Sequence, residues 1–114
     1  MYTYAAEVIK VVDGDTVDVD IDLGFGTWVR NVRLRLNRIN AYETRLGKNT
    51  TQEQKELGLE AKEFVLSETE GTDDITVNTI GKGKYGRWIA ELNVNGYNMN
   101  DKLVELGYAV YQEY

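Results

Sequence analysis

The stretch from Thr16 to Leu36 constrains this chain most. Val17, Val19 and Ile21 alternate with Asp18, Asp20 and Asp22. That period of two describes a half-buried strand with one apolar and one wet face. Leu23-Gly24-Phe25-Gly26 follows as a turn. Val32, Leu34 and Leu36 then alternate with Arg33, Arg35 and Asn37. Two strands of this kind joined by a glycine-rich turn form a hairpin, and its apolar face has to be buried.

The rest of the chain supplies the cover. Val8 to Val12 reads as a strand, broken at Asp13-Gly14. The alternation slips near Arg38-Ile39-Asn40, as at a bulge or strand end. Residues 46–51 are small and polar and read as a mobile loop. A helix begins at Thr51 or Gln52, with Leu57, Ala61, Phe64 and Val65 on one stripe. Gly58 weakens this helix without forbidding it, and Gly71 closes it. Ile75 to Ile80 is a strand, Gly81 to Gly86 a basic loop, and Arg87 to Val94 a strand turned at Asn95-Gly96. Asn100 is placed to cap a short helix, Asp101 to Leu106, ending at Gly107. Residues 108–114 read as extended. This order predicts an α+β fold, mainly β. The expected form is one domain over 1–114, a five-stranded OB-like barrel with a longer helix after strand 3 and a short helix near the C-terminus. Such barrels bind oligonucleotides on an outer face.

Composition restricts the chemistry. The 114 residues include no histidine and no cysteine. A Ser-His or Cys-His nucleophile is excluded, and zinc lacks its usual ligands. Catalysis at neutral pH must come from carboxylates, Arg, Lys, Tyr, Ser or Thr, helped by a hard cation such as Ca²⁺ or Mg²⁺. No apolar run is long enough to span a bilayer, and Met1 to Lys10 shows no signal peptide. A cytoplasmic location is therefore expected.

Net charge is −6, which by itself argues against nucleic acid. Its distribution points the other way. Arg30, Arg33, Arg35, Arg38, Arg45, Lys48, Lys82, Lys84 and Arg87 fall within residues 30–48 and 82–87, against one acid, Glu43. These segments hold +8, so the remainder of a −6 chain holds −14. The competing reading is that the arginines are solvated strand faces.

Three short pieces belong together. They are Asp13-Gly14-Asp15-Thr16; then Arg33-Leu34-Arg35, running on to Asn40-Ala41-Tyr42-Glu43-Thr44; then Lys84-Tyr85-Gly86-Arg87. Taken singly each is bland: a plain turn, a strand arginine, a basic hairpin loop. In this order and spacing, over roughly residues 8–110, they resemble the staphylococcal-nuclease (thermonuclease) family. The match is closest to its shorter, phage-like members.

The resemblance implies metal-dependent hydrolysis of DNA or RNA with low sequence preference, leaving a 3′-phosphate. It implies catalytic roles for Arg35, Glu43 and Arg87. Arginine forks hold two phosphate oxygens at once, and Glu43 positions or deprotonates the attacking water. Asp15, Asn40 and the Ala41 carbonyl would hold Ca²⁺, with Mg²⁺ or Mn²⁺ as substitutes, and Asp13 would stand behind them. Lys84, Tyr85 and Tyr111 would hold the nucleotide. The expected partner is nucleic acid, single-stranded by preference, with no membrane and a monomeric chain.

Some residues depart from the family pattern. Asn40 replaces a second acidic ligand, which predicts weak Ca²⁺ binding, about 10⁻⁴–10⁻³ M. Tyr42 replaces a proline, so the segment aiming Glu43 is less rigid. Two other readings stand beside the enzyme: a catalytically silent OB-fold binding module, and an accessory protein that docks a partner. Asp18, Asp20 and Asp22 are spaced as a wet strand face rather than a metal comb. Gly24 and Gly26 form a turn rather than a phosphate loop, because no helix follows. Strand parity puts Asp15 with Val17 and sets Arg35 on the opposite face from Leu34. Those two meet only if Asp15 lies at the barrel rim.

Overall fold

The computed structural model describes residues 2–42 and 51–112. Strands β1 (Tyr2–Asp13), β2 (Thr16–Asp22), β3 (Trp28–Leu36) and β4 (Ile39–Ala41) precede helix α1 (Gln52–Thr69). Then come β5 (Ile75–Lys82), a turn at Lys84–Gly86, β6 (Trp88–Val94) and β7 (Tyr97–Asn98). Helix α2 (Met99–Glu105) and β8 (Ala109–Tyr111) complete the chain. The sheet runs β3-β2-β1-β5-β6 in antiparallel pairs. Leu34–Leu36 of β3 then meet Trp88–Ala90 of β6 in parallel, closing a five-stranded barrel. The expected OB-like α+β architecture holds. Residues 43–50, including Glu43, Arg45, Lys48 and most of the loop read at 46–51, lie outside the described residues.

The hairpin β2–β3 forms where the alternation places it. Val17, Val19, Leu34 and Leu36 are buried against Val77, Ala90, Leu92 and Val94. The face expected to be wet is so only in part. Asp18 is only 6% exposed and accepts two hydrogen bonds from the Arg33 guanidinium, at 2.8 and 3.1 Å. Asp20 faces both Arg30 and Asn31 across a register shift. Its carboxylate takes the Asn31 N–H at 2.9 Å and Arg30 Nη1 at 3.0 Å. Asn31 adopts φ 57°, so this is a β-bulge held by a side chain. Further register shifts occur at Ile9 and Ile80. Bulges add local twist, which helps so short a barrel to close.

β1 begins at Tyr2, earlier than the Val8 expected. Its first residues pair with β5 and the rest with β2, so the sheet, not an apolar alternation, extends it. Helix α1 starts as read. Thr51 caps it, and Gln54 completes a capping box. Its buried stripe differs, being Gly58, Ala61, Val65 and Thr69. Leu57 is only partly buried, and Phe64 packs at the edge against Tyr108. Small residues face inward because α1 sits on the β1–β2 turn. A Cβ at Gly14 would stand 2.8 Å from the Ala61 Cβ. The cap of α2 is Asn98, not Asn100. Asn100 is instead fully buried in the first turn of α2, accepting from the Leu92 N–H and donating to the carbonyls of Asn37 and Ala90. It satisfies backbone groups of β6, a stronger demand than a surface cap. Among the described residues no helix is long and apolar enough to cross a membrane.

The Arg33 hydrogen bonds hold the Asp18 carboxyl below its ordinary 3.8. The Asn31 N–H, then Arg30, does the same for Asp20. A carboxyl depressed in the folded state stabilises the fold above its unfolded pKa. That contribution disappears as pH falls through the folded value. Urea unfolding followed from pH 7 downward should thus lose stability below about pH 4. Arg33→Met should flatten part of that fall; an unchanged slope would show that Asp18 plays no part in it.

Candidate active site

The candidate cleft is built where β1 turns into β2. Gly14 and Asp15 form the two-residue turn, and Thr16 is the first residue to pair with β3, opposite Arg35. Asp15 therefore lies at the rim, before regular pairing begins, and it does meet Arg35. Its backbone carbonyl accepts the Leu36 N–H at 2.8 Å. Its carboxylate accepts the Thr16 hydroxyl at 3.0 Å and the Ala41 N–H at 2.8 Å, and it stands 3.3 Å from Arg35 Nη2.

Arg35 is as buried as Asp15, each 7% exposed. Nη1 donates to the Leu36 carbonyl at 3.0 Å. Nη2 also lies 3.3 Å from Asn40 Oδ1, so one nitrogen stands between the side chains of Asp15 and Asn40. The guanidinium thus occupies a position that a cation bound to both oxygens would need.

A polar cleft of about 180 Å³ opens over this cluster, lined by Asp13, Asp15, Thr16, Arg35, Asn40, Ala41, Tyr42 and Arg87. Arg87 comes from the turn before β6 and is half-buried, with Tyr85 5.7 Å from its guanidinium. Its Nε is buried without a hydrogen-bond partner among the described residues. An orphaned N–H of this kind costs about 1–3 kcal/mol and needs an acceptor.

The structure thus gathers Asp13, Asp15, Arg35, Asn40, Ala41 and Arg87 around one cleft. Glu43 and the side chain of Lys84 lie outside the described residues. Tyr85 is exposed beside Arg87, in a left-handed conformation at φ 62°. Tyr111 is not among the cleft-lining residues; its hydroxyl donates to Asp101, and its ring lies 5.8 Å from the Arg38 guanidinium. Thr16 and Tyr42 complete the lining; in sequence they read as motif residues and not as site residues. The Asp-Thr step of the first motif was the available signal for Thr16.

The basic segments are less basic than their sequence. Arg30 pairs with Asp20, Arg33 with Asp18, and Arg38 with Glu91 and Asp101. Those partners come from elsewhere in the chain. These three arginines are solvent-exposed but charge-paired, not a naked patch. Among the described residues no three acidic side chains converge on one point. Asp15, Asn40 and the Ala41 carbonyl remain an all-oxygen set, chemistry that suits a hard cation at low affinity.

A closed barrel of this kind is an OB-like domain compatible with nucleic-acid binding. The chain belongs to the staphylococcal nuclease homologue family, whose model matches residues 33–114. It is also 34% identical over 125 residues to an uncharacterized protein of Methanocaldococcus jannaschii. That alignment covers 93% of this chain and 58% of the relative, so the chain spans little more than half of that protein's length.

Removing the Asp15 carboxylate would take an ionic partner from the buried Arg35 and the acceptor from the Ala41 N–H. Asp15→Ala should therefore lower the unfolding free energy by about 3 kcal/mol, read by urea denaturation. A loss below about 1 kcal/mol would mean that solvent screens this pair.

Proposed function

We propose that this chain is a cation-assisted phosphodiesterase acting on DNA or RNA with little sequence preference, single strands favoured. One observation carries the reading: the Nε of Arg87, without a hydrogen-bond partner among the described residues and buried beside a cleft that Arg35 also lines. A phosphate oxygen is the acceptor that such a pair of guanidinium groups fits best.

Hydrolysis adds negative charge to the phosphoryl oxygens as water attacks phosphorus and the ester oxygen departs with a proton. Arg35 and Arg87 would carry that charge from fixed positions. Glu43 would position or deprotonate the water, leaving a 3′-phosphate, as in the family. Asp15, Asn40 and the Ala41 carbonyl would hold Ca²⁺, with Mg²⁺ or Mn²⁺ as substitutes. When bound, the cation supplies Lewis-acid polarisation of a phosphoryl oxygen. Arg35 Nη2 now engages the Asp15 and Asn40 oxygens. Transfer of that guanidinium to a substrate phosphate would release them. Lys84 and Tyr85 would lie along the nucleotide.

A second reading, a silent binding module, rests on Asn40. An amide stands where the family has a carboxylate, and Arg35 already satisfies it.

Incubation with single-stranded DNA at about 10 mM Ca²⁺, above the weak end of the affinity range, separates the two readings. Cleavage should stop with chelator and with Glu43→Ala, and fall by about 10²–10³-fold in Arg87→Ala. Binding without cleavage under Ca²⁺, Mg²⁺ and Mn²⁺ would instead establish the silent module. Calorimetry supplies a further check. The wild type should bind Ca²⁺ at about 10⁻⁴–10⁻³ M, and Asn40→Asp should tighten this by about tenfold. Micromolar binding by the wild type would refute the role given to Asn40.

A further inference from the structure

A second groove opens where the barrel stops being closed. β6 begins at Trp88, opposite Leu34, so β3 from Trp28 to Arg33 has no β6 neighbour. The space left is an apolar groove of about 190 Å³, whose walls include Tyr4, Leu23, Val29, Val32 and Trp88. Its large side chains remain open to solvent; Trp88 is 40% exposed. Lys82 Nζ lies 5.9 Å from the Trp88 ring centre, within cation–π range.

Consecutive residues link the groove to the cleft described above. Arg87, which lines that cleft, directly precedes Trp88 in the chain. Val32 lies on the same strand as Arg35, three residues earlier. A single strand whose phosphate rests on Arg35 and Arg87 has this groove beside it. We propose that the groove is a nucleobase subsite, in which a base of the bound strand stacks on the Trp88 indole and Lys82 meets the neighbouring phosphate. The proposal rests on the nucleic-acid reading above and extends it.

Other features favour a base over a peptide strand. The free edge of β3 is bulged at Arg30-Asn31, with Asn31 at φ 57° and its N–H spent on Asp20. A bulged edge resists strand addition. An indole with an amine over it suits a π-face followed by a phosphate. Stacking on apolar walls also tolerates any base, in keeping with low sequence preference.

The test uses chelator, so that binding is read apart from cleavage. The chain has two tryptophans, and Trp28→Phe leaves Trp88 as the sole indole emitter. An oligothymidylate of about eight nucleotides, within the span of one OB barrel, should quench that emission. Trp88→Leu, which keeps an apolar side chain without the ring, should weaken oligomer binding about tenfold. Trp88→Phe should retain most of it. Abasic deoxyribose 3′,5′-bisphosphate, which carries phosphates for the Arg35–Arg87 cleft but no base, should bind all variants alike.

Equal oligomer affinity in wild type and Trp88→Leu would overturn the proposal, and so would an equal loss for the bisphosphate. Self-association of the wild type that Trp88→Leu abolishes, seen by sedimentation, would assign the groove to a second copy instead. Cleavage that survives while Trp88 proves irrelevant leaves the catalytic reading standing. Trp88-dependent binding without cleavage leaves only the subsite. Neither binding nor cleavage under any cation overturns both.

Discussion

The Asp15 carboxylate is the interaction on which the cleft depends. It gathers donors from three strands: the Thr16 hydroxyl of β2, the Arg35 guanidinium of β3 and the Ala41 N–H of β4. Its own backbone carbonyl adds the Leu36 N–H. A carboxylate so little exposed is stable only when its oxygens are this fully used. The same bonds fix the relative positions of Arg35, Asn40 and Ala41. Gly14 makes the arrangement fit, because a Cβ there would press on both Ala61 and Ala41. Close packing of α1 thus lies at the turn that carries Asp15.

The arginines illustrate how partner supply divides one residue type into two roles. Arg30 and Arg33 stand opposite β2 aspartates and are used in holding the hairpin. Arg38, at φ 69°, reaches Glu91 of β6 and Asp101 of α2. It anchors the turn that leads into β4, while Asn100 anchors the backbone beneath it. Glu91 and Asp101 hold the Arg38 guanidinium well above its ordinary pKa, consistent with a fixed structural cation. Arg87 has no such carboxylate among the described residues. Its Nε remains without an acceptor among the described residues, which makes it the guanidinium best placed to take an external anion.

These facts set the limits of what the sequence could reveal. Features carried by local chemistry are legible: the β2–β3 alternation, the Thr51 start of α1, the Asn95-Gly96 turn. Features that depend on register are not. The Asp18–Arg33 pair follows from strand alignment, and the Asp20 bulge from two residues facing one. Neither has a mark in composition, so the arginines read as a basic patch. Asn98 and Asn100 are equally able caps on paper. Only the unsatisfied β6 backbone decides which is drawn inward. The early start of β1 is likewise a property of β5. In the cleft, Asp15, Arg35, Asn40, Ala41 and Arg87 are legible because three motifs keep their spacing. The Trp88 groove is not, since it arises where β6 fails to extend along β3.

On the proposed reading, Arg35 and Arg87 contribute differently to phosphate binding. Arg87 gains an acceptor for an N–H that is unmet among the described residues, so its contact offsets a penalty already present. Arg35 must exchange an Asp15–Asn40 environment for the phosphate, and its net gain is correspondingly smaller in the ground state. That difference favours catalysis over tight binding. A guanidinium held near the phosphate by a competing carboxylate is positioned in advance, and it responds most as charge on the phosphoryl oxygens grows. Ground-state grip must then come from elsewhere along the strand. A stacked base at Trp88, one residue beyond Arg87, would supply grip that does not depend on the charge of the reacting phosphate.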